Sequence, residues 1–135
     1  MTRSTFLTIA AIVACTIGSI ALFLPAFLLV DMKNANPSVE GVVMARTAGA
    51  FLLSFGILNF LVRHDAPSST LMHILMANAL LQLLILPVDP LAYVAGVYGS
   101  TFAFIPNTIL HIALLTGFIF YWRQCKRSVL AEMQV

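Results

Sequence analysis

Charge is scarce in this chain, because only 9% of its 135 residues are Asp, Glu, Lys or Arg. A typical soluble domain has about 25% charged and about 45–50% apolar residues, whereas 61% of this chain is apolar. Seven basic and five acidic side chains cannot cover the surface of a soluble fold of this length. The composition therefore excludes a soluble enzyme and a disordered chain. The net charge of +2 is too small to recruit nucleic acid. An integral membrane protein remains.

Cysteine is equally rare, and its placement excludes several kinds of site. Cys15 lies inside the first apolar run, and Cys125 lies in the basic segment that follows the last one. Neither belongs to a Cys-x-x-Cys pair, so a metal site, a dithiol redox centre and a disulfide are not expected. We expect two free thiols.

Long uncharged runs supply the fold prediction. The first run, residues 6–30, is longer than a signal-peptide core and long enough to cross a bilayer, so we expect a retained helix with a kink at Pro25. We expect a single domain, an all-α integral membrane four-helix bundle. Its helices are predicted at about 6–30, 37–62, 68–86 and 102–123. A basic tail covers 123–135 and either prolongs the fourth helix into the cytoplasm or lies on the membrane surface. The connection over 87–100 carries a short interfacial turn with Tyr93 and Tyr98.

The positions of the basic residues predict the orientation. Positive charge is concentrated at the N-terminus, in the turn between the second and third helices, and after the fourth helix. The first connection holds Lys33 with two acidic residues, and the third holds only Asp89. The positive-inside rule then places both termini in the cytoplasm. We expect a multi-pass protein of the bacterial inner membrane. The basic residues concerned are Arg3, Arg63, Arg123, Lys126 and Arg127.

Polar side chains within the apolar helices indicate a candidate site. Asn107 and His111 are spaced i, i+4 on one face of the fourth helix. The second and fourth helices run inward and the third runs outward, so polar residues from all three are expected at one depth in the outer leaflet. Such groups need partners in hydrocarbon. The predicted cluster comprises Arg46, Gln82, Asn107 and His111, with Asp89 as the candidate counter-ion.

This cluster has several readings. It can be structural, with hydrogen bonds that hold the helices together. It can bind the head group of a lipid- or quinone-like amphiphile near Arg46 and His111. Catalysis by His111 lacks a nucleophile or carboxylate partner in the sequence. A haem or chlorophyll-type pigment bound by His73 or His111 is a further alternative. We infer no catalytic residue, no metal site and no cofactor from the sequence itself.

Small residues on the second helix predict close packing. Ala45 and Gly49 are four residues apart, and Gly56 follows seven residues later. Small residues on one face let helices approach closely. We expect this face to make a tight contact inside the bundle, with a dimer interface as the alternative.

Three segments carry a resemblance to a known family. The segment from Arg46 to Gly56 has the pattern R-x-x-G-A-x-L-L-x-x-G, the segment from Leu110 to Phe118 contains His111, and Phe23-Leu-Pro25 follows the first helix. Together they resemble small bacterial four-helix membrane proteins of the broadly DoxX-like group. The resemblance implies an inner-membrane four-helix bundle and no particular activity. Arg46 and His111 are the positions that match its pattern.

These observations favour a non-enzymatic membrane protein. We expect an accessory or structural subunit that packs against a larger inner-membrane complex, because nearly all of the chain lies in predicted helices and no catalytic set is evident. Its expected partners are the lipid bilayer and other membrane subunits or further copies of itself, not nucleic acid. The alternatives are a binding module or enzyme for an amphiphile, and a pigment-binding subunit.

Overall fold

The computed structural model describes residues 1–132, which are almost entirely helical and contain no β-strand. Four stretches are long and apolar enough to cross a bilayer: Arg3–Phe23, Val39–His64, Ser69–Val94 and Thr101–Glu132. The last three residues of the predicted basic tail, 133–135, lie outside the described residues. The α-helices are α1 (Arg3–Phe23), α2 (Val39–Leu61), α3 (Ser69–Ile85), α4 (Val88–Val94) and α5 (Ile105–Glu132).

Hydroxyl side chains begin three of these helices. The side-chain oxygens of Thr2, Ser38 and Ser68 each accept a hydrogen bond from the backbone N–H three residues later, at 3.2 Å. These bonds satisfy N–H groups that have no partner within the helix. The second helix therefore begins after Ser38, two residues later than the start expected at residue 37.

Pro25 interrupts the first predicted helix rather than bending it. Proline has no backbone N–H and its ring clashes with the preceding turn. Accordingly α1 ends at Phe23, and the chain resumes as a π-helical segment over Phe27–Met32. The predicted single helix over 6–30 is thus two pieces.

The C-terminal part of the chain contains more helix than the sequence predicted. The connection over 87–100 includes the short helix α4. The last helix does not end near residue 123: α5 continues through the basic segment to Glu132, which is the first of the two alternatives expected for the tail. The described part of the basic tail is therefore an extension of the last helix.

Glycines bring α1 and α2 into close contact. A Cβ atom on Gly49 would lie 2.6 Å from the backbone nitrogen of Leu22, and one on Gly56 would lie 2.6 Å from the sulfur of Cys15. Gly18 on α1 faces α2 in the same way. The small-residue face of α2 thus lies against α1 inside the bundle, and Ala45 at its end is half-buried.

One end of the bundle holds its aromatic core. Phe6 of α1 packs edge-on against Phe118 and stacks on Tyr121, with ring centroids 4.9 and 5.1 Å apart. The Tyr121 hydroxyl donates to the carbonyl oxygen of Met1 at 2.6 Å. Leu71 and Leu75 of α3 complete this core and are almost fully buried. We call the region around Phe6, Phe118 and Tyr121 the aromatic end.

Candidate functional site

The carboxylate of Asp89 is the centre of the candidate site at the opposite end of the bundle. Asp89 is only 9% exposed, and α4 carries it. It forms an ion pair with the Lys33 ammonium. The Tyr98 hydroxyl donates to its Oδ1 at 2.9 Å, and the Asn107 side-chain amide donates to its Oδ2 at 2.7 Å. All three neighbours therefore contribute donors to one buried carboxylate.

The hydrogen bonds continue from Asn107 into the helices. The amide nitrogen of Asn107 lies 3.1 Å from His111 Nε2, and His111 Nδ1 lies 2.6 Å from the Gln82 side-chain oxygen. One assignment satisfies every contact: Asn107 donates to Nε2, and a neutral imidazole donates from Nδ1 to Gln82. We call this set the polar network; it comprises Lys33, Asp89, Tyr98, Asn107, His111 and Gln82.

The long helices pack as two pairs, α1 with α2 and α3 with α5, and the polar network joins the two pairs. Lys33 follows the π-helical segment in the α1–α2 connection, whereas the other members belong to α3, α4, α5 and the α4–α5 connection. Gly99 adds a close approach, since a Cβ there would lie 2.7 Å from the Asn34 side-chain nitrogen. Asn34 itself has a φ of 48°, a left-handed conformation that Asn tolerates better than most residues. The α1–α2 connection is thus fastened onto the α3–α5 pair.

The charges within the polar network cancel. The Lys33 ammonium pairs with the Asp89 carboxylate and also lies 5.1 Å from the centroid of the Tyr98 ring. Burial raises the pKa of the Tyr98 phenol above its ordinary value, and the negative charge and hydrogen bond of Asp89 raise it further. Tyr98 therefore stays protonated and remains a hydrogen-bond donor to the carboxylate.

The structure brings together four of the five residues predicted to form a cluster. Gln82, Asn107, His111 and Asp89 belong to one hydrogen-bonded chain, but Arg46 does not: its side chain is exposed on α2. Depth along a helix, which the sequence indicates, does not say which way a side chain faces, and the Arg46 side chain is exposed. Lys33 supplies the cation instead.

Sequence reasoning assigned no site role to Lys33 and Tyr98. One signal for Lys33 was present: it is a lysine in the connection on the same side as Asp89, and buried carboxylates need a cation. Tyr98 was expected only as an interfacial aromatic. Nothing in the sequence indicated that its hydroxyl would reach Asp89.

The histidines differ in environment. His111 uses both ring nitrogens in the polar network, so binding an iron or magnesium ion there would break one of its hydrogen bonds. His73 is exposed on α3, and the Nδ1 of His64 lies 3.2 Å from the Ser4 hydroxyl near the aromatic end. Within residues 1–132 no group of three His, Cys, Asp or Glu side chains could hold a metal ion. Cys15 and Cys125 are free thiols.

A second polar contact links α2 to α3. The Asn59 amide donates to the side-chain oxygen of Asn78 at 2.9 Å, and the Asn78 amide donates to the Ile74 carbonyl oxygen at the same distance. Both asparagines are almost fully buried. This contact holds α2 and α3 together, although the Oδ1 of Asn59 is buried and has no hydrogen-bond partner among residues 1–132.

Comparison with known protein families, curated proteins and solved structures gave no match for this chain.

Proposed function

We propose that this chain is a non-enzymatic multi-pass protein of the bacterial inner membrane, an accessory or structural subunit that packs against other membrane subunits. The observation that carries the proposal is the polar network. Its six side chains neutralise and hydrogen-bond one another, so the polar groups of the helices are used to fasten the bundle. The amphiphile site considered near Arg46 and His111 lacks its guanidinium, because Arg46 is exposed on α2.

The outer faces of α2 and α5 favour helix partners. In the most apolar window of each of these spans only 11% of residues are buried, compared with 39% in the α1 span. Large side chains such as Phe51 and Phe120 are more than half exposed. Lipid tails can cover such faces, but an exposed guanidinium in the same surface, that of Arg46, is costly in lipid unless an acceptor meets it. A carboxylate or carbonyl on a neighbouring subunit would meet that need.

The charge distribution supports an orientation with the aromatic end in the cytoplasm. Arg3 and the α2–α3 turn meet there, because the Arg3 guanidinium donates to the Asp65 carbonyl oxygen. Arg123 and Arg127 on α5 follow the aromatic core. At the other end the Lys33 charge is neutralised by Asp89. The positive-inside rule then favours the cytoplasm for both ends of the described chain.

Reporter fusions test this orientation. Green fluorescent protein, which matures in the cytoplasm, and alkaline phosphatase, which is active only outside it, would be fused separately to each end. We expect fluorescence and no phosphatase activity at both ends. Phosphatase activity at either end would refute the proposed topology.

Native mass spectrometry after gentle extraction tests the role as a subunit. We expect a particle heavier than one 14.7-kDa chain with its lipids, and we expect Arg46→Glu to dissociate it. Arg63→Glu is the matched control, because Arg63 stacks on Phe60 and donates to its carbonyl oxygen within the same chain. A monomer that carries only lipid, or equal dissociation by both variants, would refute the proposal.

A further inference from the structure

Two adjoining clefts lie at the aromatic end, on a part of the molecule that the polar network does not involve. The first has a volume of about 480 Å³ and opens between the segment before α1, Pro67 of the α2–α3 turn, and α5. The second has a volume of about 390 Å³. Phe120, Gln124 and Ser128, spaced four residues apart on α5, line both clefts. The two clefts are therefore neighbouring parts of one concave surface.

The lining of this surface carries positive charge. Arg3 lines the first cleft, and Arg123 and Arg127 line the second. Of the described residues that line either cleft, none is acidic. Arg123 and Arg127 are one helical turn apart, so their guanidinium groups lie along the same side of α5. Such a surface favours an anion.

Arg3 has a donor that the protein does not use. One of its terminal nitrogens donates to the Asp65 carbonyl oxygen, but its Nε is buried and has no acceptor among residues 1–132. An unsatisfied buried donor is unfavourable, and more so when it belongs to a charged group. Arg3 also lines the first cleft, and guanidinium and phosphate groups match in geometry, so a phosphate there would offer acceptors to this guanidinium.

The same surface has an apolar part at the level where a membrane boundary is expected. Phe120 is 59% exposed and lines both clefts, and Tyr121 contributes to the first. The next residue, Trp122, has the Lys126 ammonium 5.3 Å from its ring. Aromatic and basic side chains side by side are typical of the interface between hydrocarbon and head groups. A ligand with a charged head and an apolar chain fits this combination.

We propose that the concave surface between Arg3 and α5 binds the head group of an anionic phospholipid of the cytoplasmic leaflet. The phosphate accepts from the Arg3 guanidinium, Arg123 and Arg127 lie beside it, and the first acyl segment follows Phe120 toward the bilayer. This inference rests on the membrane insertion proposed above but not on the role as a subunit.

Native mass spectrometry of the full-length protein with added lipid tests the inference. Phosphatidylglycerol is the anionic probe and phosphatidylcholine is the zwitterionic control. We expect phosphatidylglycerol to bind about tenfold more tightly, and Arg3→Gln to remove most of this preference, since a charge-assisted hydrogen bond accounts for roughly one such factor. The control Arg63→Gln removes a charge at the same end without lining either cleft, and it should change affinity by less than about twofold.

Further variants are needed because Arg3→Gln also removes the hydrogen bond to the Asp65 carbonyl oxygen and could disturb the fold there. Ser128→Phe fills the surface without changing charge and should reduce phosphatidylglycerol binding, as should the double change Arg123→Gln with Arg127→Gln. Equal losses in Arg3→Gln and Arg63→Gln would show diffuse attraction and overturn the proposal. Displacement of the lipid by millimolar inorganic phosphate would reassign the surface to a soluble anion. A correctly inserted protein without lipid preference would refute this inference alone.

Discussion

At the aromatic end, the α1–α2 and α3–α5 pairs meet through rings, with Phe6 against Phe118 and Tyr121. At the opposite end, which holds the polar network and which we call the polar end, the same pairs meet through the ion pair of Lys33 and Asp89 and the hydrogen bonds that continue from it. In a bilayer, apolar contact between helices gains little from the hydrophobic effect, because lipid tails are equally apolar. The stability of the aromatic end therefore depends on how closely the rings fit together, whereas the stability of the polar end depends on complete pairing of its charged groups. The two ends should respond differently to substitution.

The largest effect is expected from loss of the central carboxylate. Asp89→Ala leaves the Lys33 ammonium and two further donors without their acceptor. Breaking a buried ion pair from one side costs about 3–5 kcal/mol, and we expect a loss of that order in the free energy of unfolding. SDS titration in mixed micelles, followed by the fluorescence of the single tryptophan, Trp122, measures it. Arg46→Gln is the control and should change the value by less than about 0.5 kcal/mol.

Removing both charges should restore much of that stability. In Lys33→Met with Asp89→Leu no charge remains unpaired, and apolar replacement of a buried pair is often close to neutral. We expect the double variant to unfold at a higher SDS fraction than Asp89→Ala. If the double variant were as unstable as Asp89→Ala, the remaining donors rather than the ammonium would account for the loss.

A smaller effect is expected from crowding the aromatic end. A Cβ on Gly117 would collide with the Phe6 ring, and overpacking of a filled core costs about 1–3 kcal/mol. We expect Gly117→Leu to lower the free energy of unfolding by that amount in the same SDS titration. Gly41→Leu is the matched control, since a Cβ there meets its nearest neighbour at 3.7 Å. Equal losses in both variants would show that the aromatic end is not tightly packed.

The smallest quantity expected is the difference in stability between two matched tyrosine variants. Tyr98→Phe removes a hydrogen bond to a carboxylate, and Tyr121→Phe removes one to a backbone carbonyl oxygen. Hydrogen bonds to charged groups contribute about 1.5–3 kcal/mol and neutral ones about 0.5–1.5 kcal/mol. We therefore expect Tyr98→Phe to lower the free energy of unfolding more than Tyr121→Phe does, in the same SDS titration. An equal or reversed difference would contradict the distinction between the two ends.

Much of the helical layout could be predicted because long uncharged runs leave few alternatives. Four helices follow from the runs alone, and rare polar residues such as Gln82 and His111 stand out against an apolar background. The partner of Asp89 could not be found in this way. Arg46 was predicted to belong to the cluster because of its depth, and Lys33 was assigned no role. The direction in which α2 and the α1–α2 connection face depends on contacts between distant parts of the chain.

The breaks in the helices were less predictable than their existence. Pro25 predicted a disturbance of the helix, but the sequence did not indicate that the chain would continue as a π-helix over Phe27–Met32. Gly49 and Gly56 indicated a close contact, and its partner Gly18 became evident only when α1 and α2 were seen together. The small residues identify which face of α2 packs closely, and the tertiary structure shows that this face contacts α1.

By itself the sequence determined that this chain forms four long apolar helices with a few polar groups at one depth, because length and hydropathy act locally along each helix. Only the tertiary structure decided that Lys33 neutralises Asp89, that Arg46 stays exposed, and that Arg3 lines a basic surface beside α5. Those outcomes depend on how each helix is rotated about its axis when it packs against the others, and the order of residues along one helix does not determine that rotation.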